Sequence, residues 1–493
     1  MRLDEIIKGA AIKSISGAGD AEIAGVAYDS RKVLPGHLFV AVRGEKIDGH
    51  HFIQDAVRRG ARAVVCEKET ANSGSLPVPL VRVGDSRAAL AVISVNLYGR
   101  PSESLCTIGV TGTNGKTTTT YLLKSILEAW GKKVGLIGTI QCMIGDETYD
   151  AEHTTPEALE FQGLLHRMLT AGCTHIVSEV SSHALAQKRV DGTVFRAGVF
   201  TNLTRDHLDF HKTMDDYYHA KERFFGELLD GASIINYDDL YGRRLISYIT
   251  SLPTGSKKFF TYGLEKGPDF MAAEIKDSFR GLRFKIITHG GAYEAESSFM
   301  GLPNVYNILS AAGASVSLGV PWDVILRGIK DARPVKGRFE RIDAGQKFLA
   351  IVDYAHTEDA IERLIYTARG LTEGKIITVF GCGGDRDRGK RPRMGAIATR
   401  LSDFVVITSD NPRSERPEEI IKEIETGAVK RNYLLEPDRR EAIKRAVLLA
   451  GDGDVVLVAG KGHESSQIVG GSCFHFSDRE VLEEAIRQLV RDK

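Results

Sequence analysis

The stretch Gly109-Val-Thr-Gly-Thr-Asn-Gly-Lys-Thr117 decides the fold. An apolar run, Leu105 to Val110, precedes it and reads as a buried strand. An apolar-periodic segment, Thr117 to Trp130, follows it and reads as a helix. A strand, a glycine-rich turn and a helix N-terminus together form a phosphate site. Backbone N–H groups left unpaired at the helix start point at an anion, and the helix dipole favours negative charge there. The expected nucleotide-binding run is Gly112, Thr113, Asn114, Gly115, Lys116, Thr117 and Thr118. Lys116 can reach the β- and γ-phosphates of a bound nucleotide, and the Thr117 hydroxyl can ligate Mg²⁺. One position departs from the general phosphate-loop pattern: it calls for glycine where Val110 stands.

At 493 residues the chain is too long for one core, and three domains of about 150 residues are expected. The 42% apolar and 26% charged content is ordinary for a globular protein. Net charge is zero, so bulk electrostatics make no case for nucleic acid or an anionic membrane as partner. No apolar run approaches the ~20 residues that cross a bilayer, and the first residues lack a secretory apolar core. Six dispersed cysteines form no Cys-x-x-Cys pair, which argues against a zinc ribbon and for reduced thiols in the cytoplasm.

Breakers at Tyr98-Gly-Arg-Pro-Ser-Glu-Ser104, read as a linker, and at Ala332-Arg-Pro-Val-Lys-Gly337 divide the chain into 1–98, 99–334 and 335–493. In the first part, Tyr28-Asp-Ser-Arg31 and Asp48-Gly-His-His51 offer polar groups that also suit turns and caps. In the second, strands at Lys133–Gly138, Thr174–Val180 and Ala197–Asn202 alternate with helices. That alternation implies an α/β fold with a mostly parallel sheet and helices on both faces. Chemistry then gathers at the strand C-terminal ends. Glu179 closes such a strand, where a carboxylate is costly unless paired or metal-bound. It reads as a Mg²⁺ ligand, direct or through water, with a structural salt bridge as the alternative. Thr201 to His211 carries two His and two Asp in six residues. A zinc site is one reading, a Mg²⁺ or phosphate-organising role for His207 is favoured, and a polar capping loop is a third. Lys221, on the helix Tyr217–Phe225, reads as a solvated lysine. Phe259 to Phe299 looks like antiparallel β, and Asn304 and Asn307 could bind a base or cap the helix Ile308–Leu318.

The third part reads as a Rossmann-like sheet with strands at Phe348–Val352, Ile376–Phe380, Phe404–Thr408 and Val455–Val458. Three polar clusters follow strands there: Asp353-Tyr-Ala-His356, Asp410-Asn-Pro-Arg413 and Gly460-Lys-Gly-His-Glu464. Loops after parallel strands share one sheet edge, so all three can converge on one small ligand. With Arg386 and Arg413 against Asp410 and Glu464, an amphoteric amino acid suits that pocket.

Thr111–Thr117, Glu179-Val-Ser-Ser-His183, Asn202–Asp209, Tyr218-His-Ala-Lys221, Gly337-Arg-Phe-Glu340, Asp353–His356 and Asp410–Arg413 together resemble the Mur ligases over the whole length. The departure at Val110 is the Mur form of the loop. The resemblance implies a cytoplasmic, ATP-dependent ligase of peptidoglycan precursor synthesis, built from UDP-binding, central ATP-binding and C-terminal amino-acid-binding domains; a monomer is expected. It implies that Lys116, Glu179 and His207 serve phosphoryl transfer and that Lys221 is carbamylated to help hold Mg²⁺. It assigns Asn304, Arg338, Asp353 and His356 to ATP. Ser30, Thr154, Thr155, Ser181, Gln187 and Arg189 fall to UDP-N-acetylmuramoyl-L-alanyl-D-glutamate. Arg386, Asp410, Asn411, Pro412, Arg413, Gly460 and Glu464 fall to meso-2,6-diaminopimelate. A guanidinium at Arg413 suits the distal carboxylate of that diacid, which lysine lacks. A lysine-adding ligase, a folylpolyglutamate synthase-like ligase and a nucleotide-driven switch are the competing readings.

Overall fold

A computed structural model describes residues 1–17, 20–44, 47–68, 76–151, 153–253 and 258–492. Three main sheets follow one another along the chain, with five, eleven and six strands. In the first, Gly25–Ala27, His37–Val40, Ala63–Cys66 and Leu80–Val83 run parallel, and Ile12–Ser16 closes the edge antiparallel. The segment Tyr98–Ser104 is less loose than its composition predicts. It holds a 3₁₀ turn, Pro101–Glu103, with Ser102 buried and its hydroxyl accepting from the Val194 N–H at 3.1 Å.

The central sheet is built around β1 (Cys106–Thr111), which runs straight into the phosphate loop and α1 (Lys116–Ala129). β2 (Val134–Ile137), β3 (His175–Glu179), β4 (Phe195–Phe200) and β5 (Leu229–Asn236) flank it in the order β5-β4-β1-β3-β2, all parallel. Near-continuous apolar strands are required here because helices cover both faces. Ile108, Val110, Leu122, Leu123, Ile126 and Leu127 are fully buried in the resulting core. The Phe259–Phe299 region differs from the antiparallel expectation in its first strand. Phe259–Gly263 pairs parallel with both neighbours, and only the three strands from Phe270 to Ser297 form an antiparallel meander. That strand carries a buried Tyr262 and extends the parallel sheet, a continuation its short alternating pattern does not reveal.

The C-terminal sheet places β6 (Leu349–Asp353), β7 (Ile376–Phe380), β8 (Phe404–Ile407) and β9 (Val455–Ala459) in the order β6-β9-β7-β8, all parallel. Every loop after these strands leaves the same edge. An antiparallel strand, Glu340–Ile342, covers β6.

Candidate active site

The phosphate loop is held open by its neighbours. Gly115 takes the left-handed conformation (φ 86°) as N-cap of α1, so no side chain obstructs the helix N-terminus. Residues following β4 clamp the loop: Asn202 O accepts from Thr113 N (2.8 Å), Asn202 Oδ1 from Asn114 N (3.0 Å), and Thr201 Oγ1 donates to Asn114 O (2.6 Å). The Thr201–His211 run thus begins as the scaffold of the loop. Its Asp and His side chains do not gather as zinc ligands. Among the described residues no three His, Cys, Asp or Glu side chains form a group able to hold a metal.

Two amines meet at one carbonyl. Lys116 Nζ donates to Gly112 O at 3.1 Å and Thr113 O at 2.9 Å. Lys221 Nζ donates to the same Gly112 O at 2.9 Å. Lys221 lies on α2 (Met214–Arg223) and is 1% exposed, so the expectation of a solvated lysine is corrected. Its helix face packs onto the loop through Tyr217, whose ring lies 4.8 Å from Nζ. Burial first, and Lys116 second, push the Lys221 amine well below the usual lysine range.

Glu179 closes β3 beside Val110 of β1. Its buried carboxylate accepts from the Thr139 N–H (2.9 Å) and the Thr139 hydroxyl (3.0 Å). Thr139, missed in the sequence, also meets the Thr154 hydroxyl at 3.0 Å. From there a polar group extends. Thr155 Oγ1 donates to Glu179 O (2.8 Å) and accepts from Ser181 N (3.1 Å), and Arg189 donates to Thr155 O (2.9 Å) and to Gln187 Oε1. Thr154, Thr155, Ser181, Gln187 and Arg189 therefore come together beside Glu179. Ser30 sits in the N-terminal unit, two residues beyond Tyr28, whose hydroxyl donates to Glu160 at 2.9 Å. His207 takes a left-handed conformation (φ 54°), edge-on to His183 at 4.8 Å between ring centroids. Burial pushes its pKa down to about 4, against a raising effect of Asp206, so the imidazole is neutral at pH 7. The Thr117 hydroxyl and the buried Glu179 carboxylate are oxygen donors of the kind a hard cation such as Mg²⁺ takes, whereas an imidazole such as that of His207 better suits softer metals.

A cavity of about 540 Å³ opens beyond Asn114, Gly115 and Thr118. Asn304, Asn307, Arg338 and Asp353 line it, while His356 lies outside that lining with Nδ1 2.9 Å from Tyr354 O. The helix there, α3 (Leu302–Ser317), is capped by Gly301, so Asn304 and Asn307 lie inside it and do not cap it. They pair instead, Asn307 Nδ2 donating to Asn304 Oδ1 at 2.9 Å. Asp359, on α4 (Glu358–Arg369), bridges the C-terminal unit to the loop. Its Oδ2 accepts from Thr204 Oγ1 (2.9 Å) and Asn114 Nδ2 (3.3 Å).

At the C-terminal sheet edge the expected clusters converge. Asn411 Nδ2 donates to Glu464 Oε2 at 2.9 Å, and Gly460 packs on Asp410. Arg413 Nη1 donates to Gly384 O at 2.7 Å, next to Pro412 and near Arg386, whose exposed guanidinium donates to the carbonyl of its neighbour Asp385 at 3.2 Å. Sequence reasoning missed Arg439. This fully buried guanidinium pairs with Asp478 (2.7 Å) and ties down Ser409 O (3.1 Å) and Ala459 O (2.9 Å), the carbonyls just ahead of Asp410 and Gly460.

Family models match in chain order: "Mur ligase family, catalytic domain" over residues 22–97, "Mur ligase middle domain" over 110–315, and "Mur ligase, glutamate ligase domain" over 337–462. The chain belongs to the Mur ligase family. This Mur ligase is 44% identical to a UDP-N-acetylmuramoyl-L-alanyl-D-glutamate–2,6-diaminopimelate ligase of Clostridium tetani, over 99% of this chain and 100% of the relative. It is 45% identical to the corresponding ligase 1 of Clostridium acetobutylicum, over 99% and 100%. A solved structure of a ligase of that name superposes with a TM-score of 0.72 at 32% identity, covering 99% of both chains. A folylpolyglutamate synthase of Mycobacterium tuberculosis, complexed with ADP and AMPPCP, shares the fold at a TM-score of 0.62 and 16% identity, over 81% of this chain and 94% of its own.

Proposed function

We propose that this Mur ligase joins 2,6-diaminopimelate to the D-glutamate of UDP-N-acetylmuramoyl-L-alanyl-D-glutamate at the expense of ATP, in the cytoplasm and as a monomer. The supporting observation is one phosphate loop in contact with two groups of opposite purpose. On one side β3 brings Glu179 and the Thr154–Arg189 group beside it. On the other, Asp359 and the cavity walls join it to Arg338, Asp353 and α4 of the C-terminal unit, whose sheet edge carries the amino-acid loops.

A carboxylate does not acylate an amine in water without activation. Transfer of the γ-phosphoryl group to the D-glutamate carboxylate makes an acyl phosphate. The diaminopimelate amine then attacks its carbonyl carbon, and phosphate leaves from the tetrahedral intermediate. Donor and acceptor are both anionic, so the transfer needs neutralising charge. Lys116 supplies it from the loop, and Arg189 holds the acceptor. Mg²⁺, held by Thr117, Glu179, His207 and a carbamate on Lys221, would add charge neutralisation at the phosphates. A deprotonated amine is what carbon dioxide requires, and the burial of Lys221 favours that form. At the other end, Arg413 grips the distal carboxylate of diaminopimelate and Glu464 its ammonium. Lysine would bring only an ammonium to Arg413, which disfavours the lysine-adding alternative. Phosphate release is expected to require ATP, the nucleotide-dipeptide and diaminopimelate together. Release at the full rate with either acceptor substrate omitted would overturn the assignment.

A further inference from the structure

The loop Gly460-Lys-Gly-His-Glu464 contains a lysine that the proposed reaction leaves unused. Lys461 is fully buried, at 0% exposure. The backbone explains why a lysine turns inward here. Gly460 and Gly462 flank it with φ of 118° and 54°, conformations that favour glycine. A Cβ on Gly462 would lie 2.7 Å from the Tyr354 Cβ, and one on Gly460 2.6 Å from Asp410 Oδ2. The loop is therefore pressed between Tyr354 and Asp410, and the side chain between the glycines enters the interior.

A buried ammonium is costly unless its hydrogens are all matched. Lys461 Nζ meets three acceptors, one for each N–H: Ser466 O at 2.6 Å, Glu464 Oε2 at 3.1 Å and Asn411 Oδ1 at 3.2 Å. No donor is left for a substrate, so any role of Lys461 in the reaction passes through its partners. Asn411 Oδ1 also accepts from Ile468 N at 3.0 Å. With two donors on that oxygen the amide can face only one way, and its Nδ2 donates to Glu464 Oε2 at 2.9 Å. Both donors thus hold the same oxygen of Glu464. The Oε1 atom accepts no hydrogen bond from the described residues, and the side chain is 32% exposed.

We propose that Lys461 is the positioning residue of the amino-acid subsite. It locks the Asn411 amide and pins one oxygen of Glu464, so that the other is presented to the ammonium end of the incoming amino acid. This rests on the reading of Asn411 and Glu464 as diaminopimelate-binding residues. A lysine that merely filled the core would affect all substrates alike.

The test uses the full-length enzyme with Lys461→Met and Lys461→Gln, each alone and combined with Glu464→Gln. ATP, nucleotide-dipeptide and diaminopimelate are varied in turn. The KM for diaminopimelate is expected to rise roughly tenfold or more in each single variant, the scale of one charge-assisted contact. The other two KM values should stay within about twofold. On the Glu464→Gln background the effect should shrink to below about threefold, because a residue acting through Glu464 has nothing left to aim. An unchanged KM for diaminopimelate, a rise shared by all three substrates, or an equal loss on both backgrounds overturns the proposal. If neither variant folds, as read by thermal melting, Lys461 is a core residue and the proposal is overturned as well. The unaltered enzyme separates the two levels: phosphate release that ignores diaminopimelate would sink the proposed function, whatever Lys461 does.

Discussion

Lys221→Ala is expected to lower ligase turnover on the order of 10²–10³-fold, the scale of removing one preorganised charge-stabilising group. Acetate or formate should restore part of the loss. The reasoning begins with burial. An ammonium at 1% exposure, bonded to Gly112 O and Thr111 Oγ1 and next to Lys116, has no carboxylate hydrogen-bonded to it among the described residues. Such a site favours the neutral amine. A neutral amine adds carbon dioxide and releases a proton, and the product is a carbamate anion set beside Lys116. Alanine removes the attachment point and leaves a space that a small carboxylate can enter. Turnover that survives the substitution would remove Lys221 from the chemistry. Lost turnover without rescue would confine it to holding the loop.

Arg413→Ala should raise the KM for diaminopimelate while leaving ATP binding intact. Losing a charge-assisted contact to a desolvated carboxylate costs about 2–5 kcal/mol, tens- to thousands-fold in affinity. The side chain is already tied to Gly384 O at 2.7 Å and its backbone to Ile468 O at 3.0 Å. The guanidinium is therefore ordered before the ligand arrives, and less entropy is lost on binding. An unchanged KM for diaminopimelate in steady-state assays would take Arg413 out of substrate selection.

Much of this site was legible because its chemistry lies at places the sequence marks. Glu179 announces itself as a carboxylate ending an apolar strand. The Gly112–Thr118 loop is framed by a strand and a helix, and the clusters after β6, β8 and β9 share an edge once the strands are parallel. What stayed hidden is long-range pairing. Lys221 looks like any helix lysine until α2 is seen packed on the loop 109 residues away in sequence. Arg439 and Asp478 are 39 residues apart and lie on two surface-patterned helices. Thr139 and Asp359 carry no motif at all. Lys461 did leave a trace, a long polar side chain set between two glycines, which is how a backbone turns a charge inward. The parallel pairing of Phe259–Gly263 was missed for a related reason, since strand direction depends on the neighbour rather than on the strand's own residues.

The central claim is that ATP activates the D-glutamate carboxylate by phosphorylating it before the amine attacks. Labelling the oxygens of that carboxylate with ¹⁸O and recovering the phosphate tests it most directly. The acyl phosphate route carries one carboxylate oxygen into each phosphate released, because the amine displaces phosphate at the carbonyl carbon. One ¹⁸O in the phosphate per turnover is the expected result. Unlabelled phosphate, or label found in a nucleotide monophosphate, would contradict the account.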